Sequence, residues 1–310
     1  MKIIFMGTPD FSVPCLKKLC LEGHEVAAVF TQPDKPKGRG HKMLPPPVKQ
    51  AAEELGIEVF QPLSLKKGED AEKSLEIINK ISPDLIVVVA FGQILPKAVL
   101  DAPKYGCINV HASLLPKYRG AAPMQWCILN GEKKTGVTTM MMDVGLDTGD
   151  MLLKREVEIG ENETLSELHD DLSLTGAELL IDTIKSIENS TVTRTPQTDS
   201  ESTYSPMITK DMSRIDFSES AKDIHNRIRA ITGFAFIDHK RIKLLGSCLT
   251  GKKSDETPGT VCSADDFSVV CGDGEVIRFT EVQPEGGKRL KTADFLRGNK
   301  LEKGTVLESE

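Results

Sequence analysis

Lys2–Met6 and Val26–Phe30 are short runs of apolar and β-branched residues, and between them apolar positions 13, 16 and 19 recur at helical spacing. The pattern predicts a strand, a helix over Ser12–Glu22 and a second strand, which is the opening of a βαβ unit. The alternation continues with a short helix over Gln50–Leu55, a strand at Val59–Phe60 and a helix over Lys73–Lys80 with Leu75 and Ile78 on its stripe. Leu85–Ala90 is apolar at every position, as expected of a parallel strand covered on both faces. Cys107–Val110 and Gly136–Met142 read as further strands, with a helix over Ala121–Leu129 between them. The expected fold class is α/β, with a doubly wound, mostly parallel sheet.

Asn162–Asn189 is the clearest long helix. Leu165, Leu168, Leu172, Leu179 and Ile187 follow its stripe, and Thr164 with Glu167 fits a capping box. Composition then changes, with 10 Ser/Thr among the 21 residues of Ser186–Pro206, which suits an extended connection. Beyond it come a helix over Ala221–Ile231, short alternating segments at Arg241–Leu245, Thr260–Ser263, Ser268–Cys271 and Val276–Val282, and a hairpin turn at Cys271–Gly274. A smaller β-rich barrel with one helix is expected there. The boundaries read as 1–189 for the first domain, 190–208 for a linker and 209–310 for the second.

Composition changes this picture little: 39% hydrophobic and 27% charged residues are ordinary for a globular chain. The longest apolar run is far below the ~20 residues that span a bilayer, so a cytoplasmic protein without membrane contact is expected. Seven scattered cysteines form no Cys-x-x-Cys pair, and the six histidines lack ligand spacing, so neither a disulfide framework nor a metal site is expected. Net charge is −7, which argues against a generally basic nucleic-acid binder. Residues 209–310 hold 17 Lys/Arg and 17 Asp/Glu, so any nucleic-acid contact must come from local patches.

One such patch is Thr31–Lys49, with five prolines, five Lys/Arg and one acid. It reads as a long structureless loop, either a phosphate-tracking arm or a solvated surface segment. Candidate chemistry lies elsewhere. Asn109 and His111 end an apolar strand two residues apart, so alternation sends both side chains to one face. An amide donor and an imidazole in one space can hold a carbonyl and manage a proton. Met142–Asp150 follows another apolar strand, and Asp147, between Gly145 and Gly149, is on a turn from which its carboxylate could reach His111. Turn chemistry accounts equally well for Asp143, Asp147 and Asp150. Gly7-Thr-Pro-Asp10 stands where a dinucleotide fold has its phosphate loop, but Gly-x-Gly-x-x-Gly is absent, which argues against a nicotinamide cofactor.

Five segments together resemble the methionyl-tRNA formyltransferase family: Gly7–Phe11, Gln32–Gly40, Val89–Pro96, Asn109–Pro116 and Met142–Asp150. Asn-x-His with a distant Asp is shared by folate-dependent formyltransferases of this fold, and the basic Gly-Arg-Gly loop is particular to the tRNA enzyme. Lys210 and Arg214–Phe217 look like the start of the family's second, OB-like domain, while Ile231–Phe236 departs from its Pro-Trp-Pro-type sequence. The resemblance implies formyl transfer from 10-formyl-tetrahydrofolate, as co-substrate, to the α-amino group of methionine on initiator tRNA. It implies Asn109, His111 and Asp147 as catalytic residues, with Asn109 and His111 both donating to the formyl oxygen. Ser113, Leu114, Leu115, Pro116, Phe91, Gly92, Asp143, Val144 and Gly145 would line the folate site. Arg39, Lys37, Lys42 and Lys210 would meet the tRNA. The partners expected are the initiator methionyl-tRNA and the folate donor, and the chain is expected to be a monomer without a metal. Two other classes stay open: another formyltransferase or a formyl-folate hydrolase of the same fold, and a non-enzymatic RNA- or folate-binding module.

Overall fold

The computed structural model describes residues 1–37 and 42–309. In chain order the elements are β1 Lys2–Gly7, α1 Val13–Leu21, β2 Glu25–Phe30, β3 Lys35–Lys37, β4 Lys42–Leu44, α2 Pro47–Glu54, β5 Val59–Phe60, α3 Glu69–Ile81, β6 Leu85–Val89, α4 Lys97–Leu100, β7 Cys107–His111 and β8 Arg119–Gly120. There follow α5 Pro123–Leu129, β9 Lys134–Met141, β10 Met151–Glu158, α6 Leu165–Glu188, β11 Tyr204–Ser205, α7 Ala221–Ile231, β12 Gly233–Ile237 and β13 Lys240–Lys253. The last are β14 Val261–Ser263, β15 Ser268–Val270, β16 Glu275–Pro284, β17 Leu290–Lys291 and α8 Thr292–Gly298.

These elements form two compact units. The first takes Met1–Gly120, Thr135–Val157 and His169–Tyr204; the second takes Ala121–Lys134, Glu158–Leu168 and the chain from Ser205 onward.

The first unit is built on a seven-stranded sheet in the order β10-β9-β7-β6-β1-β2-β5. Strands β5, β2, β1, β6 and β7 are parallel. Strand β9 runs antiparallel to β7, with Ile108 opposite Met141 and His111 opposite Thr138. Ile3, Ile4, Phe5 and Met6 of β1 and every residue of β6 are buried. Burial on both faces explains the uninterrupted apolar runs, each large side chain contributing about 1.5–3 kcal/mol relative to exposure. Gly7 is required by packing: a Cβ there would meet Ser12 Cβ at 2.9 Å and Val89 O at 3.0 Å. Ser12 Oγ uses that approach to donate to Val89 O at 2.6 Å, joining the start of α1 to β6.

Several elements differ from their sequence-based expectation. Helix α2 begins three residues early because Pro47 suits the first helical turn, where no N–H is needed. Helix α3 begins at Glu69 after Gly68, with Glu69, Asp70 and Glu72 against the positive end of its dipole. The segment Thr31–Lys49 is not structureless. Strands β3 and β4 pair antiparallel, with Lys35 opposite Leu44 and Lys37 opposite Lys42. A two-stranded ribbon has only edges, so Pro36 is tolerated there. The ribbon's base is held by Lys49 Nζ, which bonds both Asp34 carboxylate oxygens at 2.9 Å and Gln61 Oε1 at 2.8 Å. Strand β10, not foreseen, carries the half-polar alternation of an edge strand.

The second unit contains an antiparallel sheet in the order β12-β13-β16-β15-β14, with β17 also on β16. Its terminal segment bonds both edge strands: Val261 N donates to Thr305 O at 2.8 Å, while Phe236 N and Glu308 O meet at 2.8 Å. Hydrogen bonding therefore runs around a closed ring, a barrel filled by Ile215, Phe217, Ile224, Ile228, Leu244, Phe267, Ile277 and Phe279. Helix α7 starts at Ser220, whose hydroxyl accepts from Asp223 N. Strand β12 and helix α8 were not foreseen.

Candidate active site

Because β1, β6 and β7 are parallel, their carboxyl ends open on one edge of the first unit, at the point where the strand order reverses between β1 and β6. Ligands of open α/β sheets bind at such a point. Thr8 leaves β1 there and donates from Oγ1 to Phe91 O at 2.9 Å. Phe91 is itself buried in the core, and Gly92 turns the chain with φ +82°, a left-handed conformation open to glycine.

Asn109 and His111 come from β7. Asn109 is half-buried, and among the described residues no hydrogen bond engages its side-chain amide. His111 is only 6% exposed. Its Nε2 lies 2.9 Å from Tyr118 O, and since a carbonyl can only accept, that nitrogen carries the proton. Its Nδ1 faces Asp147 Oδ2 at 3.8 Å. With Nε2 engaged by Tyr118 O, Nδ1 is the nitrogen that faces the Asp147 carboxylate.

Asp147 reaches His111 by an unexpected route. Met142 N bonds Cys107 O at 2.8 Å, so the loop after β9 begins at the amino end of β7. His111 lies four residues farther along that strand, about 13 Å at ~3.3 Å per residue. The loop folds back over that distance to bring Asp147 to His111. Gly149 makes the fold-back possible, because a Cβ would fall 1.8 Å from Met141 O. Asp143 Oδ1 braces it by accepting from Gly145 N at 2.9 Å and Thr148 Oγ1 at 2.7 Å. Asp147 adopts φ +54°, and its Oδ2 accepts from Gly120 N at 2.8 Å.

The remaining candidates divide. Val144 and Leu146 are 76% and 63% exposed on the same loop, and Asp143 and Gly145 are exposed with them. Ser113 and Leu115 are buried in their turn: Ser113 Oγ donates to Lys117 O, and Leu115 packs on Met140 and Met151. The surface this turn offers a ligand therefore comes from Leu114 and Pro116. Lys210 is exposed in the second unit. Lys37 and Lys42 face each other in the β3–β4 ladder as backbone partners. Arg39 lies outside the described residues.

Sequence reasoning missed Tyr118, Arg119 and Gln197. Arg119 is 1% exposed; its Nε bonds Gln197 Oε1 at 2.9 Å and its Nη1 bonds Asp199 Oδ1 at 3.0 Å. Gln197 Nε2 donates to both Asp147 O and Gly149 O at 2.8 Å. No sequence pattern marked Arg119 as buried, and Gln197 lay in a Ser/Thr-rich stretch without periodicity. At the amino end of β7, burial pushes the Cys107 thiol up to about 12, so it stays protonated and inert. Among the described residues no group of three or more His, Cys, Asp or Glu side chains is placed to hold a metal, and no helix is long and apolar enough to cross a membrane.

A model of the formyl transferase family matches residues 1–184, and one of the formyl transferase C-terminal domain matches residues 207–300. The chain is 53% identical over 312 residues to the methionyl-tRNA formyltransferase of Alkaliphilus oremlandii, with 99% of each chain covered. It is 51% identical to the methionyl-tRNA formyltransferase of Citrifermentans bemidjiense over 99% of this chain and 96% of that one. The N-formyltransferase of Helicobacter canadensis, solved in complex with folinic acid and dTDP-3-aminofucose, matches with a TM-score of 0.68 at 23% identity, over 90% of this chain and 98% of that one. At that identity the structural likeness speaks to the fold.

Proposed function

The chain belongs to the formyl transferase family, and from that premise we propose that it moves a formyl group from 10-formyl-tetrahydrofolate to the α-amino group of methionine on initiator methionyl-tRNA. The full-length identity of 53% to a methionyl-tRNA formyltransferase carries the choice of acceptor. The arrangement of Asn109, His111 and Asp147 carries the chemistry.

A half-buried amide without a partner among the described residues, in a unit that also exposes apolar Val144 and Leu146 and turns left-handed at Gly92, fits a flat heteroaromatic donor bearing a carbonyl. The donor site we propose comprises Phe91, Gly92, Ser113–Pro116 and Asp143–Gly145, with Ser113 and Leu115 shaping the turn from beneath. The donor supplies the activated formyl carbon. Asn109 donates to the formyl oxygen as negative charge gathers there, an interaction of roughly 2.7–4 kcal/mol in comparable sites. His111, protonated at Nε2 by its bond to Tyr118 O, offers the Nδ1 lone pair to the attacking amine's proton. Asp147, 3.8 Å from Nδ1, stabilises the imidazolium that results. The new bond joins the amine nitrogen to the formyl carbon, the bond to the folate nitrogen breaks, and the imidazolium returns the proton to that leaving nitrogen.

For the acceptor, the basic segment Thr31–Lys49 supplies Lys37, Arg39 and Lys42, and the second unit supplies Lys210. Local positive charge on an acidic chain attracts RNA at chosen points. Residues 1–189 act as the catalytic domain, 190–208 as the connection and 209–310 as the tRNA-binding domain, in a cytoplasmic monomer that needs no metal. The test is incubation with 10-formyl-tetrahydrofolate and charged initiator tRNA, followed by mass spectrometry of the released amino acid. Formylmethionine is expected. Its absence, or faster turnover with a small amine or water in place of tRNA, would overturn the reading.

A further inference from the structure

We propose that Gln197 is a positioning residue for formyl transfer, holding Asp147 against His111 from a segment that reads as a plain connector; this rests on the function proposed above. Residues 193–200 are exposed except for Gln197, which is half-buried. Both of its amide hydrogens are used. Nε2 has two hydrogens, and they go to Asp147 O and Gly149 O, both at 2.8 Å. Oε1 accepts from Arg119 Nε at 2.9 Å. Arginine only donates, so this bond decides which way round the amide lies and leaves the NH2 group directed at the loop.

The two carbonyls flank Thr148 in the stretch where Asp147 adopts φ +54°. A non-glycine residue held there costs of order 1–3 kcal/mol unless its surroundings enforce it. Gln197 supplies that enforcement from the backbone side while Gly120 N holds the carboxylate at 2.8 Å. The same connector holds the other member of the pair. Thr203 Oγ1 accepts from Tyr118 N at 2.9 Å and Thr203 O from Arg119 N at 2.8 Å. Tyr118 O is the acceptor for His111 Nε2. One face of residues 118–120 therefore meets the catalytic pair and the other meets residues 197–203. The spacing between imidazole and carboxylate is set by a strand end, a fold-back loop and this connector together.

The decisive substitution is Gln197→Glu. A carboxylate keeps an acceptor for Arg119 but has no hydrogen to give Asp147 O or Gly149 O. If the side chain mattered only as a partner for Arg119, Glu would serve as well; if it positions the loop, Glu fails as Gln197→Met does. In steady-state formylation of methionyl-tRNA, kcat is expected to fall about 10- to 100-fold in both variants, as a misplacement near 1 Å does, with KM for both substrates within about twofold. Long-range proton–nitrogen spectra of the imidazole rings, with His111 assigned from a His111→Gln sample, read the same displacement without substrate. The His111 Nδ1 resonance should move in both variants. A Gln197→Glu protein with parental kcat and an unmoved His111 resonance would overturn the proposal. If the parent formylates no tRNA, the functional reading fails by itself, and the spectra still decide whether Gln197 sets the pair.

Discussion

Asp147 Oδ2 stands 3.8 Å from His111 Nδ1 although the two residues leave strands that run in opposite directions. A carboxylate and an imidazole so related, both nearly closed from solvent, make a pair whose charge is weakly screened. Removing the charge while keeping the shape isolates that effect. Asp147→Asn retains an oxygen for Gly120 N but no negative charge, so kcat should fall by roughly 10²–10⁴. Donor affinity, followed by fluorescence titration with a folate analogue, should stay close to the parent value.

Asn109→Ala removes a donor that has no partner among the described residues to leave stranded. Its effect should therefore appear in the transition state alone. A loss of about 10²–10³ in kcat is expected, equivalent to roughly 2.7–4 kcal/mol, with KM little changed. A variant that mainly raises KM would show that Asn109 binds the ground state instead.

Gly149 is where the loop turns back against β9. In Gly149→Ala the new Cβ would lie 1.8 Å from Met141 O, a backbone atom that cannot yield cheaply. The loop must shift, so activity should fall at least about tenfold. The seven-stranded sheet does not depend on this turn, and the far-ultraviolet circular dichroism spectrum should be retained.

The basic segment around Arg39 separates acceptor from donor. Arg39→Ala should lower kcat/KM for tRNA by about tenfold or more, consistent with the ~1.5–3 kcal/mol of a charge-assisted contact. The effect should shrink as salt rises, and folate affinity should be unaffected. Equal loss of both affinities would make that segment a structural element.

His225 gives the second unit a pH dependence. It is 2% exposed, and burial first of all, with a smaller opposing effect from Glu161 O, holds it below the ordinary histidine value. Its Nε2 bonds Glu161 O at 3.0 Å and its Nδ1 lies 2.8 Å from Ser247 Oγ. The unfolded chain then binds a proton that the folded one refuses, so stability falls as pH drops through the ordinary value near 6.5. Thermal unfolding midpoints should decline between about pH 7 and pH 5, and less steeply in His225→Gln.

Much of the fold was legible because burial is written into local order. The fully apolar Leu85–Val89 announces a strand covered on both faces, and Ala221–Ile231 appears at the same limits in pattern and structure. The capping box at Thr164 is present, with Glu167 Oε2 accepting from Thr164 N at 2.8 Å. Strand β12 and helix α8 escaped notice because Phe234–Ile237 lacks alternation and Thr292–Gly298 is too short for a helical stripe. At the site, Asn109 and His111 were legible as a pair because two residues apart on a strand means one face. Arg119 and Gln197 were not: their contacts span 78 residues of chain, and polar residues in a Ser/Thr-rich stretch have no periodicity to betray them.

Sequence alone determined the residues of β1, β2, β6 and β7, that Asn109 and His111 share a face, and that positive charge gathers around Arg39. Those are consequences of side-chain chemistry at short range. Tertiary structure decided that β9 opposes β7, that the loop after it folds back to bring Asp147 to His111, and that Tyr118 and Gln197 set their spacing. Each of those depends on backbone carbonyls and N–H groups meeting across long separations. Every residue type but proline carries the same backbone groups, so no local pattern announces which of them will pair.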